Sequence, residues 1–293
     1  MSVQYEIVHT TTYQYQQPVS FGEHRVMFRP RDSHDLRVLA TDLEVSPESS
    51  VRMIQDPHSN SVALVQPLVE AQELKIVCSF TIEHAHTNNL ELPLSPSAEV
   101  FPFPYGVEER LDLEPYLRPR YDDIGGHLTA WARQFLRTDG LTGTRELLVN
   151  MNQSIRDNFT YAARDDEGTQ TPQDTLKKST GSCRDFALLM IEAARSLGIA
   201  ARFVSGYLYD PALDGGDPGV TVGAGATHAW LQVYLPGAGW VPFDPTNNLL
   251  GGNQLIRVGV ARDPAQAAPI SGSWFGEAGD YLGMTVTVVV HRL

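Results

Sequence analysis

In Gly181-Ser182-Cys183-Arg184-Asp185-Phe186-Ala187 a loop turns into a helix. Phe186, Leu189, Met190, Ala193 and Leu197 recur at intervals of three and four, the period of a helix with one hidden face, and Gly198 supplies a stop. Cys183 thus sits at the amino end, where the helix dipole favours an anion, and the thiolate is the nucleophilic form of cysteine. Gly181 lets the chain turn tightly and leaves room for a substrate backbone. The Cys183 N–H, in the first turn, is free to donate to an oxyanion. Taken alone, the residue reads more simply as a buried core thiol, because position 183 falls near the apolar stripe. The rest of the chain has to decide.

Downstream, Arg202–Tyr209 reads as a strand, and a glycine-rich loop, PALDGGDPGVTVGAGA, follows. Thr227-His228-Ala229-Trp230 then opens another strand. In strand register His228, Trp230, Gln232 and Tyr234 share a face, which suits a cleft wall. An imidazole there can take a thiol proton and return it to a leaving group. The short PGAG turn makes the next strand, Trp240–Phe243, a hairpin partner and brings Asp244 beside the start of the His228 strand. A carboxylate there can hold the imidazole tautomer. Read singly, His228 is also a surface histidine and Asp244 also a turn residue of Asp-Pro. The glycine-rich loop reads equally as a lid and as a plain connection.

Upstream, Leu128, Trp131, Ala132 and Phe135 mark one helix. Thr144 caps a second, carrying Leu147, Leu148, Met151 and Ile155. Residues 90–121 are proline-rich and read as a packed linker. Before it, alternating and β-branched runs predict strands at 5–15, ended by Pro18, and at 38–45, 51–54, 61–65 and 74–84. Further strands are expected at 254–260 and 281–291. The fold class expected is α+β: an N-terminal all-β sandwich with its Pro-rich connection (1–118), then a core of helices packed on an antiparallel sheet (119–293).

The 293 residues carry a net charge of -13, which disfavours binding to phosphate backbones, so no nucleic-acid partner is expected. No run approaches the ~20 apolar residues of a membrane helix, and the start lacks the pattern of a signal peptide. Cys78 and Cys183 do not form a disulfide framework. A cytoplasmic protein with no membrane partner is the expectation.

The motifs GSCRDFA, LGIAARFVSGYL, THAW and GWVPFDPTN resemble the transglutaminase-like superfamily, in the order Cys, His, Asp and at intervals of 45 and 16 residues. YEIVHTTTYQYQQPV with RVMFRPR, and the tail RVGVARDPAQAAPISGSWFG, resemble that superfamily's bacterial branch, so the likeness spans almost the whole chain. It implies a papain-like core behind the β-sandwich, and acyl transfer through a thioester. By the same likeness Cys183 is the nucleophile, His228 the general base and acid, and Asp244 its orienter. Tyr161, in Asn158-Phe159-Thr160-Tyr161, matches an aromatic of these enzymes and is expected in the cleft, with Trp230 and Ser182 as further substrate contacts. The tail departs from the branch at RDPAQAAP, which leaves Asp263 without a clear role.

The expected partner is a peptide or protein whose amide bond is hydrolysed, without cofactor or metal. The alternatives are a protein-crosslinking transglutaminase and a non-catalytic binding or assembly protein. Asp185 reads as a helix-start charge. His84 and His86 share a strand face, but without a third ligand they read as surface histidines.

Overall fold

The computed structural model describes residues 2–85, 93–164, 168–214, 222–251 and 254–293, without the side chains of 213 and 214. Residues 215–221 of the glycine-rich loop, and His86, lie outside these residues. Labels below are given to strands longer than two residues and to the helices used.

The N-terminal region is a two-sheet sandwich. Its strands are β1 (Ser2–Phe21), β2 (His24–Val26), β3 (Leu36–Ser46), β4 (Ser49–Gln55), β5 (Ser61–Pro67) and β6 (Ala71–Ala85). One sheet runs β1-β6-β3, and the other runs β2-β5-β4. Alternation along β1 buries Val3, Tyr5 and Ile7 against Val62, Val65, Ile76, Phe80 and Ile82. Pro18 does not end β1. It lies where the pairing with β6 slips, between Gln14 and Val19, and the strand continues to Phe21. A residue without an N–H interrupts a ladder, and a bulge absorbs the gap.

Between the sandwich and the core, α1 (Val107–Leu117) forms inside the proline-rich stretch and contains Pro115. The core helices are α2 (His127–Arg133), α3 (Thr144–Asn158), α4 (Pro172–Lys178) and α5 (Cys183–Ser196). Gly143, not Thr144, takes the cap position of α3, because Thr144 already lies in the first turn. Gly198, at φ +78°, follows the end of α5.

The core sheet contains β7 (Ala201–Leu208), β8 (Thr227–Leu235), β9 (Gly239–Asp244) and β10 (Leu255–Ala261). Its order is β9-β8-β7-β10, antiparallel throughout. Phe186, Leu189, Met190 and Ala193 of α5 pack with Phe203, Ala229, Leu231, Val233 and Phe243. Each large apolar side chain withdrawn from water here contributes roughly 2 kcal/mol. Tyr207, Tyr209, Ile256 and Val258 instead join the core of the sandwich, so the two regions share buried surface.

The last strand, β11 (Tyr281–Arg292), does not extend the core sheet as its place in the chain suggested. It pairs with β1 from Tyr5↔Arg292 to Tyr15↔Tyr281 and puts Val288 and Val290 into the sandwich core. Among the described residues no helix is long and apolar enough to cross a membrane.

Candidate active site

The turn into α5 is fixed from three sides. Thr180–Gly181 pairs in parallel with Thr160–Tyr161, and the Ala162 N–H donates to the Gly181 carbonyl at 2.9 Å. Ser182 then takes an extended conformation before the helix begins at Cys183. Asp185 is wholly buried and closes the turn: its carboxylate accepts from the Ser182 N–H (2.8 Å), the Ser182 hydroxyl (2.9 Å) and the Gln170 N–H (2.7 Å). An acid three residues into a helix, reaching back to the cap residue, satisfies donors that the helix leaves open. The Arg164 guanidinium adds an ion pair to it at 3.6 Å. A methyl on Gly181 would meet the Asp185 Cβ at 2.8 Å, so this position has no room for a side chain. The outcome is a thiol at the first position of a helix, only 8% exposed.

His228 and Asp244 come from adjacent strands. The pairing Leu231↔Phe243 places Asp244 one step further along, diagonally across from His228. His228 Nε2 and Asp244 Oδ2 are 2.8 Å apart, and both side chains are fully buried. Asp244 also accepts from the Thr246 N–H at Oδ1 and from the Asn247 side-chain amide at Oδ2, each at 2.9 Å. Burial alone would push the imidazole toward its neutral form. The negative charge of Asp244 and its hydrogen bond, then the nearby Cys183 thiol, overcome this and raise the imidazole to about 10. In turn, burial would raise Asp244; the His228 charge and the three hydrogen bonds hold it below the usual carboxylate range. The second imidazole nitrogen, Nδ1, is buried and has no hydrogen-bond partner among the described residues. With Nε2 committed to Asp244, Nδ1 is the nitrogen left for Cys183. Cys183, His228 and Asp244 therefore form one contiguous group.

The other expected contacts fall differently. Tyr161 sits beside the Cys183 turn, 37% exposed, its ring edge-on to Phe186 at 6.4 Å. Burial, followed by the neighbouring Cys183 charge, pushes its phenol up to about 12. Ser182 is buried and its hydroxyl donates to Asp185, so its side chain caps the turn rather than facing an open cleft. Trp230 is 1% exposed, packed with Val204, Leu208, Leu255 and Val260 and stacked on His228 at 5.9 Å. It backs the imidazole and cannot line an open cleft. Further along the same face, Gln232 accepts from Arg202, and Tyr234 donates to Glu109 of α1. The expected cleft wall is thus covered from Gln232 onward.

His84 is buried rather than on the surface. Among the described residues no group of three or more His, Cys, Asp or Glu is arranged to hold a metal. Asp263 bonds Arg262 at 2.8 Å and approaches Arg195 and Arg120, with Arg195 in turn paired to buried Glu192. This network fastens the tail and linker to the back of α5. Two residues at the site escaped the sequence reading, Asp185 as a tie between segments and Asn247 as a partner of Asp244. Asn247 stands in the quoted GWVPFDPTN motif, but nothing in a motif says which way an amide points.

Comparison with known proteins agrees with this architecture. Residues 129–245 match the transglutaminase-like superfamily core, and residues 5–83 match the bacterial transglutaminase-like N-terminal region. The uncharacterised protein ML0607 of Mycobacterium leprae is 28% identical over 96% of this chain and 97% of its own length. Rv2569c of Mycobacterium tuberculosis, also uncharacterised, is 28% identical over 92% of this chain and 86% of its own. The crystal structure of a candidate cysteine protease from Cytophaga hutchinsonii superposes with a TM-score of 0.71 at 22% identity, covering 99% of this chain and 91% of that one. At that identity it is the fold that is shared. With a sandwich of the bacterial N-terminal type, a helix-borne cysteine and a core matched from 129 to 245, this chain belongs to the transglutaminase-like superfamily.

Proposed function

We propose that the protein is a cysteine hydrolase that cleaves a peptide or amide bond through a thioester. The observation that carries this reading is the imidazole of His228, bonded to Asp244 at 2.8 Å and interacting with the Cys183 thiol. In the first half-reaction Sγ of Cys183 attacks the carbonyl carbon. The S–C bond forms, the C–N bond breaks, and the amine leaves with a proton supplied by the His228 imidazolium. In the second, water gives a proton to His228 and attacks the thioester, releasing the acid and the thiolate. The Cys183 N–H, in the first turn of α5, is available to the oxyanion. Asp244 holds the tautomer and balances the imidazolium charge. We further propose a peptide or protein as substrate and the cytoplasm as compartment; two unpaired cysteines are in keeping with a reducing environment.

Cys78 is the internal control, since burial pushes its thiol up to about 11. Iodoacetamide at neutral pH is expected to modify Cys183 far faster than Cys78. A peptide-like electrophile is expected to label the protein and to lose that labelling in Cys183→Ala. Equal slow alkylation of both thiols, or labelling that survives Cys183→Ala, would sink the reading.

A further inference from the structure

The imidazole of His228 is held on two edges, and one residue reaches both. Asp244 holds Nε2. On the other edge stands the backbone of Gly223: a methyl added there would lie 2.6 Å from Nδ1, and its φ of +94° is strained for any other residue. Asn247 joins the two edges. Its Nδ2 donates to Asp244 Oδ2 at 2.9 Å and to the Val222 carbonyl at 3.0 Å, and its Oδ1 accepts from the Val222 N–H at 2.9 Å. Three partners fix this orientation, because a flipped amide would set oxygen against a carboxylate and a carbonyl, and NH₂ against an N–H.

From this arrangement we infer that Asn247 is a positioning residue for the thiol–imidazole pair: it pins Val222–Gly223 against His228 while sharing the Asp244 carboxylate. The inference rests on the assignment of Cys183 and His228 above. An imidazole with one hydrogen bond can pivot about it. Trp230 stacks against its face, and the Gly223 backbone stands at its Nδ1 edge. Asparagine suits position 247 because its one short side chain offers a donor and an acceptor in a plane. Aspartate is equally short but cannot donate, and alanine does neither.

The two functions separate in two variants, read by the pH profile of Cys183 alkylation. Asn247→Ala frees Val222 and removes a donor from Asp244. The alkylation rate at neutral pH is expected to fall at least about tenfold, the scale of losing a hydrogen bond to a charged group. Asn247→Asp keeps an acceptor for the Val222 N–H but sets a second negative charge beside Asp244. Added negative charge disfavours a thiolate nearby, so its profile is expected to move to higher pH. Gly223→Ala, which does not touch Asn247, is expected to lower the rate from the opposite edge. If Asn247→Asp overlays the parent profile and Asn247→Ala alkylates at the parent rate, Asn247 only ties down a loop and the inference is wrong. His228→Ala separates this failure from that of the parent reading. If His228→Ala leaves fast alkylation intact, the thiol–imidazole assignment itself is at fault.

Discussion

His9 and His228 are both withdrawn from water, and their partners send them in opposite directions. His9 bonds Tyr207 Oη at 2.8 Å and Thr11 Oγ1 at 3.0 Å, with no carboxylate of the described residues against it, so burial lowers it to about 3. Its unfolded value is near 6.5, so the unfolded chain binds more protons between those limits. Stability is therefore full above pH 6.5 and is lost as pH falls toward 3, by on the order of 3 kcal/mol at pH 4. His9→Gln keeps a hydrogen-bonding side chain without the titration, and its denaturation free energy is expected to vary less between pH 7 and 4. An unchanged slope would mean that another group sets the acid limb. His228 has the reverse sign: raised to about 10, it contributes stability below pH 6.5 that is lost as pH rises through 10. In Asp244→Asn the carboxylate that opposes burial is gone and only the Cys183 thiol remains against the imidazole. By NMR the imidazole is then expected to titrate well below the parent's, while the parent stays protonated across neutral pH. His228 and Asp244 were legible as a pair because strand alternation and a short hairpin fix their relative positions, whereas Cys183, on a helix, was joined to them by the family resemblance. Ser182 and Trp230, expected in the cleft, have buried side chains, because polarity and aromaticity near a motif do not distinguish a cap or a backing ring from a residue that faces a cleft.

At the scale of elements, the start of α5 decides whether a nucleophile exists. Asp185 joins Arg164, Gln170, the Gly181 turn and the helix in one buried carboxylate. Asp185→Ala would leave the buried donors of Ser182 and the part-buried N–H of Gln170 unpaired. The expected cost is roughly 3 kcal/mol by urea denaturation, together with slower alkylation of Cys183. A loss below about 1 kcal/mol would show that the turn is held elsewhere. α5 itself was plain in the sequence, since Phe186, Leu189, Met190, Ala193 and Leu197 repeat at helical spacing. α1 was hidden, because Pro115 and the surrounding prolines read as linker. It also lacks an apolar stripe, since Leu113 is buried while Val107 and Leu111 are exposed, and it meets the core through Tyr116, edge-on to Trp240 at 5.2 Å. The period of β11 identified it as a strand, but alternation does not name a strand's neighbour.

That neighbour sets the organisation of the whole molecule. The chain passes from sandwich to core and returns, and β11 shields one edge of β1 from Tyr5 to Tyr15. It also touches the approach to His228, for the Val288 N–H donates to the Gly225 carbonyl at 3.2 Å. The far end of the chain thus supports the first strand and the segment that leads into the His228 strand. Ending the chain after Gly279 removes β11, strips Val288 and Val290 from the sandwich core and leaves a long strand edge unpaired. Such an edge is a template for association between copies. The truncated protein is expected to unfold at a urea midpoint lower by at least about 1 M, given the usual slopes for chains of this kind. It should also elute as aggregates in size-exclusion chromatography. Loss of the Val288–Gly225 contact should slow alkylation of Cys183 even in the fraction that remains folded. A monodisperse product with the parent midpoint and parent alkylation rate would show that the core holds its site without the returning strand.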